Sequence, residues 1–201
     1  MNTPPIPRWK NRPDGWGPIS QLLHWLVVLL ILALGTLGLI MGDLPSSPRK
    51  LELYQLHKSL GLTLLLLVLL RLAWRWYAGV PAALPDQPAW QRRSAALTHV
   101  VLYVLLLAMP LSGLILTSAT GRDWRWFGLF TVPPLTGRNM PLHELGKTVH
   151  QFLFWVLAAL AVLHAFAALH HHQFRGDPTL ARMLPRGWLR VGSNDEAGRD
   201  V

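Results

Sequence analysis

Nine histidines stand in a chain of 201 residues, and four of them have a spacing suited to metal chemistry. His150 and His164 are 14 residues apart. On an α-helix that is about 21 Å of rise and about 40° of rotation, so both imidazoles face one way at two depths. His24 and His57 stand near the starts of two other apolar stretches. With helices alternating in direction, His57 shares a level with His150, and His24 shares one with His164. Two neutral imidazoles facing each other across a bundle are the axial ligands that a b-type haem requires. An iron held this way has no open position, which favours electron transfer over oxygen binding. Zinc also accepts imidazole, but two ligands per level with no carboxylate among the four make a poor zinc site. Four histidines each bonded to a neighbouring carbonyl are the bland alternative, and two matched pairs at two depths weigh against it.

The elements that must position these residues are membrane helices. Charged residues make up 14% of the chain, against roughly 25% in soluble domains. Hydrophobic residues reach 51% and the mean hydropathy is +0.29, which excludes a disordered chain and an ordinary soluble enzyme. There is no cysteine, so disulfides, thiolate metal sites, a cysteine nucleophile and covalent c-type haem attachment are excluded. A bilayer core of about 30 Å needs about 20 apolar residues, and four stretches meet that length: about 19–41, 53–77, 94–118 and 145–172. Backbone groups in lipid must pair internally, so an all-α bundle of four transmembrane helices is expected, joined by loops of about 12 to 27 residues. Pro110 should kink the third helix and free a carbonyl for a neighbour. The first stretch is longer than a signal-peptide core and no small-residue cleavage site follows it, so it is read as retained. The expected division is an N-terminal segment at 1–17, a helical domain at 18–175 and a polar tail at 176–201, disordered from about residue 187.

The formal charge of +9 comes from small groups of Arg and Lys between apolar runs, with no basic face or tail. That distribution argues against a nucleic-acid partner and for helix flanks lying against a lipid bilayer. Placing both termini and the loop between the second and third helices on one side gathers 12 cations there, including Arg8, Arg186, Arg190 and Arg199, against 7 on the other. The positive-inside rule then makes both termini cytoplasmic.

Further residues have two readings each. Arg71 follows His57 by 14 residues, so it shares that face at the depth of the inner pair, as a partner for a haem propionate or as a snorkelling flank residue. His99 reads as a satisfied core histidine, or as a proton relay for a quinone or a propionate partner. His170, His171 and His172 point 100° apart in turn, and most should be interfacial. The outer loop interleaves Trp124, Trp126, Phe127 and Phe130 with Arg122, Arg125, Arg138 and Lys147. It is expected to anchor in the interface while presenting a positive field to a small anion.

The strings SQLLHWLVVLL, LPSSPRKLELYQLHKSLGL with RLAWRW after it, THVVLYVLLLAMPLSG and HQFLFWVLAALAVLHAFAALHHHQFRGDPTLARMLP resemble the bacterial cytochrome b561 family, from about residue 12 to 186. The resemblance implies a multi-pass inner-membrane protein with two non-covalent haem b groups that exchange electrons with the quinone pool. It implies His24 and His164 on the cytoplasmic-side haem and His57 and His150 on the outer one. The family often has His followed by Glu at the fourth-helix ligand; here His150 is followed by Gln151, and His143 with Glu144 competes one heptad earlier. The 14-residue spacing favours His150. Superoxide oxidases of this family pass an electron from superoxide to ubiquinone, and the basic outer loop fits such an oxidoreductase. Other members resemble cytochrome b subunits of hydrogenases and dehydrogenases, which take electrons from a partner protein. A haem-free transporter would need broken helices, for which Pro110 is the single candidate.

Overall fold

The computed structural model describes residue 7 and residues 9–84, 87–185 and 187–189. Arg8, Arg186, Arg190 and Arg199 of the charge balance, and the tail beyond residue 189, lie outside the described residues. Four long helices dominate: α1 (Pro18–Asp43), α2 (Pro48–Ala78), α3 (Ala89–Ser118) and α4 (Met140–Arg175). All four are long and apolar enough to cross a membrane. A two-stranded hairpin, β1 (Trp124–Trp126) and β2 (Phe130–Val132), interrupts the connection between α3 and α4.

Helices α2 and α4 begin well before their apolar stretches because caps, not hydropathy, set their starts. The Ser47 hydroxyl accepts from the Lys50 amide at 3.2 Å and Pro48 opens α2. Asn139 accepts from the Leu142 amide at 3.1 Å ahead of α4. Each device satisfies an amide that the helix leaves unpaired.

Helix α1 packs on α2, α2 on α3 and α3 on α4. Gly35 of α1 closes the bundle by facing the ring of Phe154 on α4. The buried core contains Val27, Leu34, Leu64, Val68, Leu105, Leu106 and Leu157. It fills the middle of the bundle between two histidine-bearing ends. The α3–α4 contact is close at Gly146, where an added Cβ would lie 2.8 Å from the Leu116 Cβ and 3.2 Å from its Cα. Small residues allow such approach between membrane helices. Gly146→Ala should therefore cost about 1–3 kcal/mol by overpacking, read as earlier thermal unfolding in detergent.

Side-chain bonds gather the start of α1, the α2–α3 connection and the C-terminal segment at one end. Asn11 is buried; its Oδ1 accepts from the Gly17 amide and the Ser20 hydroxyl, and its Nδ2 donates to the Gly79 carbonyl at 2.7 Å. The Trp74 indole donates to Ser20. Gln21 Nε2 donates to the carbonyls of Arg182 and Leu184, and Trp25 Nε1 to that of Met183.

The same segment is tied to α4 by Asp177, which bonds His171 and accepts from the Thr179 amide. Burial alone would raise the Asp177 carboxyl, but its bonds to Thr179 and His171 outweigh burial and hold it below its ordinary 3.8. A depressed carboxylate stabilises the fold above its ordinary pKa, and that contribution is lost as pH falls through the lowered value. Proteolytic nicking of residues 177–185 should accordingly rise below about pH 4, and Asp177→Ala should show the same nicking at neutral pH.

The α3–α4 connection is a hairpin because aromatic residues alternate with polar ones around a Phe127–Gly128 turn. Both turn residues have positive φ, 45° and 74°, as primed hairpin turns require. The Phe127 amide donates to the Ser59 hydroxyl at 3.0 Å, and the Trp126 indole to the Thr63 hydroxyl at 3.3 Å. Ser59 and Thr63 donate their own protons back to the carbonyls of Gln55 and Ser59, which leaves lone pairs for the hairpin. Thr63 lies about 9 Å further along α2 than His57. The hairpin thus covers the flank of α2 inward of His57 instead of capping the helix end.

Candidate functional site

His57 on α2 and His150 on α4 meet at one end of the bundle. Their ring centroids are 6.2 Å apart with the planes at 74°. A metal bound about 2 Å from one nitrogen of each ring would separate the centroids by about 6 Å, so the gap fits one ion between them. The ring of His150 is oriented by α3: its Nδ1 lies 3.1 Å from the Met109 carbonyl and 3.0 Å from the Ser112 hydroxyl. A carbonyl only accepts, so the proton sits on Nδ1 and the Nε2 lone pair is free for a metal. The carbonyl used stands beside Pro110. His57 Nδ1 is buried without a partner among the described residues.

Glycines flank this pair. A Cβ on Gly113 would lie 3.0 Å from His150 Cε1, and one on Gly38 would lie 3.5 Å from His57 Cε1. The absent side chains leave room beside both rings for a flat group. An orphaned imidazole nitrogen, a fixed tautomer and glycine walls suit a bis-imidazole haem.

The other end gathers His24 of α1, His99 of α3 and His164 of α4. The rings of His99 and His164 are 5.4 Å apart at 70°. His24 stands within electrostatic reach of His164, His99 and Arg71. Arg71 donates from Nε to the Tyr103 hydroxyl at 3.0 Å. No carboxylate pairs with Arg71 or Arg75 among the described residues.

One heptad logic produces both ends. Fourteen-residue steps run His24 to Gly38, His57 to Arg71, His99 to Gly113 and His150 to His164. Each step spans four turns and returns near the same face. At the His57 level, α1 and α3 present glycine; at the His24 level, α2 and α3 present Arg71 and His99.

The segment 15–186 matches the family model described as Prokaryotic cytochrome b561. The chain belongs to that family. Cytochrome b561 homolog 2 of Escherichia coli (strain K12) is 34% identical over 181 residues, 87% of this chain and 93% of the relative. Cytochrome b561 homolog 1 of the same strain is 33% identical over 165 residues, 82% and 93% of the two chains. A protein of Yersinia pestis named probable superoxide oxidase CybB is 30% identical over 164 residues, 82% and 92%. As a cytochrome b561, the chain is a multi-pass bacterial inner-membrane protein of a b-type haem, electron-transfer family.

Most other histidines of this cytochrome b561 are engaged elsewhere. His143, one heptad outside His150, has Nδ1 at 2.9 Å from the Leu116 carbonyl. His171 bonds Asp177, the ring of His170 lies 5.1 Å from that of Phe174, and His172 Nδ1 is buried without a partner among the described residues. Ser112, Gly113 and Gly38 carry only a faint signal in the sequence. Their signal is small residues, two of them following Pro110, inside otherwise bulky membrane helices.

Proposed function

We propose that the chain carries electrons across the membrane between a one-electron donor outside, superoxide, and membrane quinone. Two haem b groups would serve as the conduit, with His57 and His150 ligating the outer iron and His24 and His164 the inner one. The observation that carries this reading is the 6.2 Å spacing of His57 and His150, with the proton of His150 held on Nδ1. The haems supply the redox couple; the chain holds and orients them. Arg71, unpaired by any carboxylate among the described residues, would hold a propionate of the inner haem. Both termini would face the cytoplasm, by the balance of Lys and Arg.

Superoxide as donor is supported by the relative named probable superoxide oxidase and by charge. The His57 end carries seven cations, Arg122, Arg125, Arg138 and Lys147 among them, against the four carboxylates of Asp43, Glu52, Asp123 and Glu144. A net positive end draws in a small anion. Two superoxide ions would leave as two molecules of oxygen. Their two electrons, with two protons from the medium, would convert one quinone to quinol.

Stopped-flow spectroscopy tests the reading. Superoxide should reduce the haem of the purified protein, and added ubiquinone should reoxidise it. A colourless preparation from haem-replete cells would overturn the conduit, and haem unreduced by superoxide would overturn the donor. Because the attraction is screened, the superoxide-driven rate should fall several-fold as salt rises from about 0.01 to 0.15 M.

A further inference from the structure

The hairpin between α3 and α4 has a tip unsuited to water. From Trp126 to Gly137 the connection runs 12 residues without a charge, between Arg125 on one side and Arg138 on the other. Phe127, Leu129 and Phe130, at and beside the turn, are 45%, 71% and 52% exposed. Single exposed apolar residues are ordinary, but a cluster of them at one turn marks a contact surface.

The place of the hairpin on α2 says what that surface meets. Lys58 Nζ lies over the Trp124 ring at 5.6 Å, and Lys58 is the last charged residue of α2 before Arg71. The two bonds to the hairpin come from Ser59 and Thr63, inside the uncharged run that follows. Thr63 stands about 7.5 Å beyond Lys58 along the helix. Leu66 and Leu70 continue the face of Ser59 and Thr63, and each is 54% exposed on a helix apolar enough to cross the membrane. The tip is therefore continuous with a surface that lipid covers.

The polar groups are arranged for the same surroundings. Lipid offers no hydrogen bonds, so a turn that enters it needs its donors paired within the protein. The Phe127 amide and the Trp126 indole are taken by the hydroxyls of Ser59 and Thr63, and the Leu129 amide by the Trp126 carbonyl at 2.9 Å. Strand alternation puts Arg125 on the face opposite Trp124 and Trp126. There it is exposed and meets no carboxylate among the described residues. A long cationic side chain so placed reaches the phosphate layer while its apolar neighbours go deeper.

We propose that the hairpin is a wedge in the leaflet at the His57 end: Phe127, Leu129 and Phe130 enter the boundary between headgroups and acyl chains, about 5–10 Å deep, and Arg125 lies at the level of the lipid phosphates. A soluble partner protein would also cover exposed apolar residues, but the continuity with Leu66 and Leu70 and the paired donors of the turn favour lipid. The assignment needs only the membrane-crossing helices and stands apart from the electron-transfer reading.

The chain has no cysteine, so single cysteines can carry a nitroxide label in the full-length, haem-loaded protein. The test places each variant in nanodiscs of phosphatidylethanolamine and phosphatidylglycerol. Power-saturation spectroscopy then compares collisions with oxygen, which partitions into lipid, and with a water-soluble nickel chelate. Leu129→Cys should show an oxygen-to-nickel ratio several-fold above that of Leu51→Cys, an exposed position among Arg49, Lys50 and Glu52 at the start of α2. It should approach the ratio of Leu66→Cys, and Arg125→Cys should fall between Leu51→Cys and Leu129→Cys. Phe130→Cys repeats the reading from the other side of the turn, so one variant that loses its helical circular dichroism leaves the test intact. A tip ratio equal to that of Leu51→Cys would overturn the wedge and leave a loop in water. A tip label shielded from both relaxants would overturn it in favour of a protein partner or a second copy of the chain. An Arg125→Cys label deeper than the tip would overturn it as well.

Discussion

Replacing His150 with leucine is expected, on the proposed two-haem reading, to lower the haem content from about two per chain to about one, with the group at the His24 end retained. The ring is held by Met109 and Ser112 with its centroid 6.2 Å from that of His57, so its free nitrogen has a fixed orientation before any iron arrives. Preset orientation of this kind is worth about 10–100-fold in metal affinity, and removing the imbedded ligand forfeits both the bond and its orientation. His164 should be spared, because it lies about 21 Å along the same helix beyond the core residue Leu157. Pyridine haemochrome quantitation per chain, with circular dichroism to confirm retained helix, measures the outcome. His143→Leu is the paired control: its ring is bound to Leu116 a heptad away, so both haems should remain. If His143→Leu loses one haem and His150→Leu keeps both, the ligand is His143.

The second large effect is expected at a residue with no side chain. In Gly113→Val the new Cβ would lie 3.0 Å from His150 Cε1 and 3.3 Å from Nδ1. The imidazole cannot retreat without leaving Met109 and Ser112. Overpacking at such a contact costs about 1–3 kcal/mol, and the ring tilts away from His57. One haem should be lost, as in His150→Leu, with the chain still folded. Gly38→Ala makes the contrast. Its Cβ would meet His57 Cε1 at 3.5 Å, an ordinary van der Waals distance, so haem content and optical spectrum should match wild type. Equal behaviour of Gly113→Val and Gly38→Ala would show that close approach to His150 is not what the glycine provides.

Much of this architecture is legible in the residues themselves. The four spans follow from hydropathy, because lipid tolerates few exceptions to it. The alternation of helix direction then puts His57 beside His150 with no further information. The other end is less legible. His99 reads from sequence as a core histidine or a relay, and only the rotation of α3 brings its ring to His164. That rotation is set by packing among leucines and valines that look alike on every face, since a helix in lipid has no polar side to betray its orientation. Arg75 reads as a charge at a helix end, and its lack of a carboxylate is visible only once the neighbours are in place. The hairpin is hidden for a different reason. Its strands are three residues each, too short for alternation to register, and Phe127 takes a positive φ that side-chain-bearing residues seldom adopt.

The 14-residue step along α4 has an energetic consequence. It separates the two imidazole levels by about 21 Å of a hydrocarbon layer about 30 Å thick. A charge crossing the whole layer exchanges about 2.3 kcal/mol with each 100 mV of membrane potential. An electron moving between the levels therefore exchanges about 1.6 kcal/mol. With the termini cytoplasmic, as proposed from the Lys and Arg balance, and the interior negative, inward passage would be uphill. The energised membrane would then act as a brake, and turnover would slow as the proton-motive force rises.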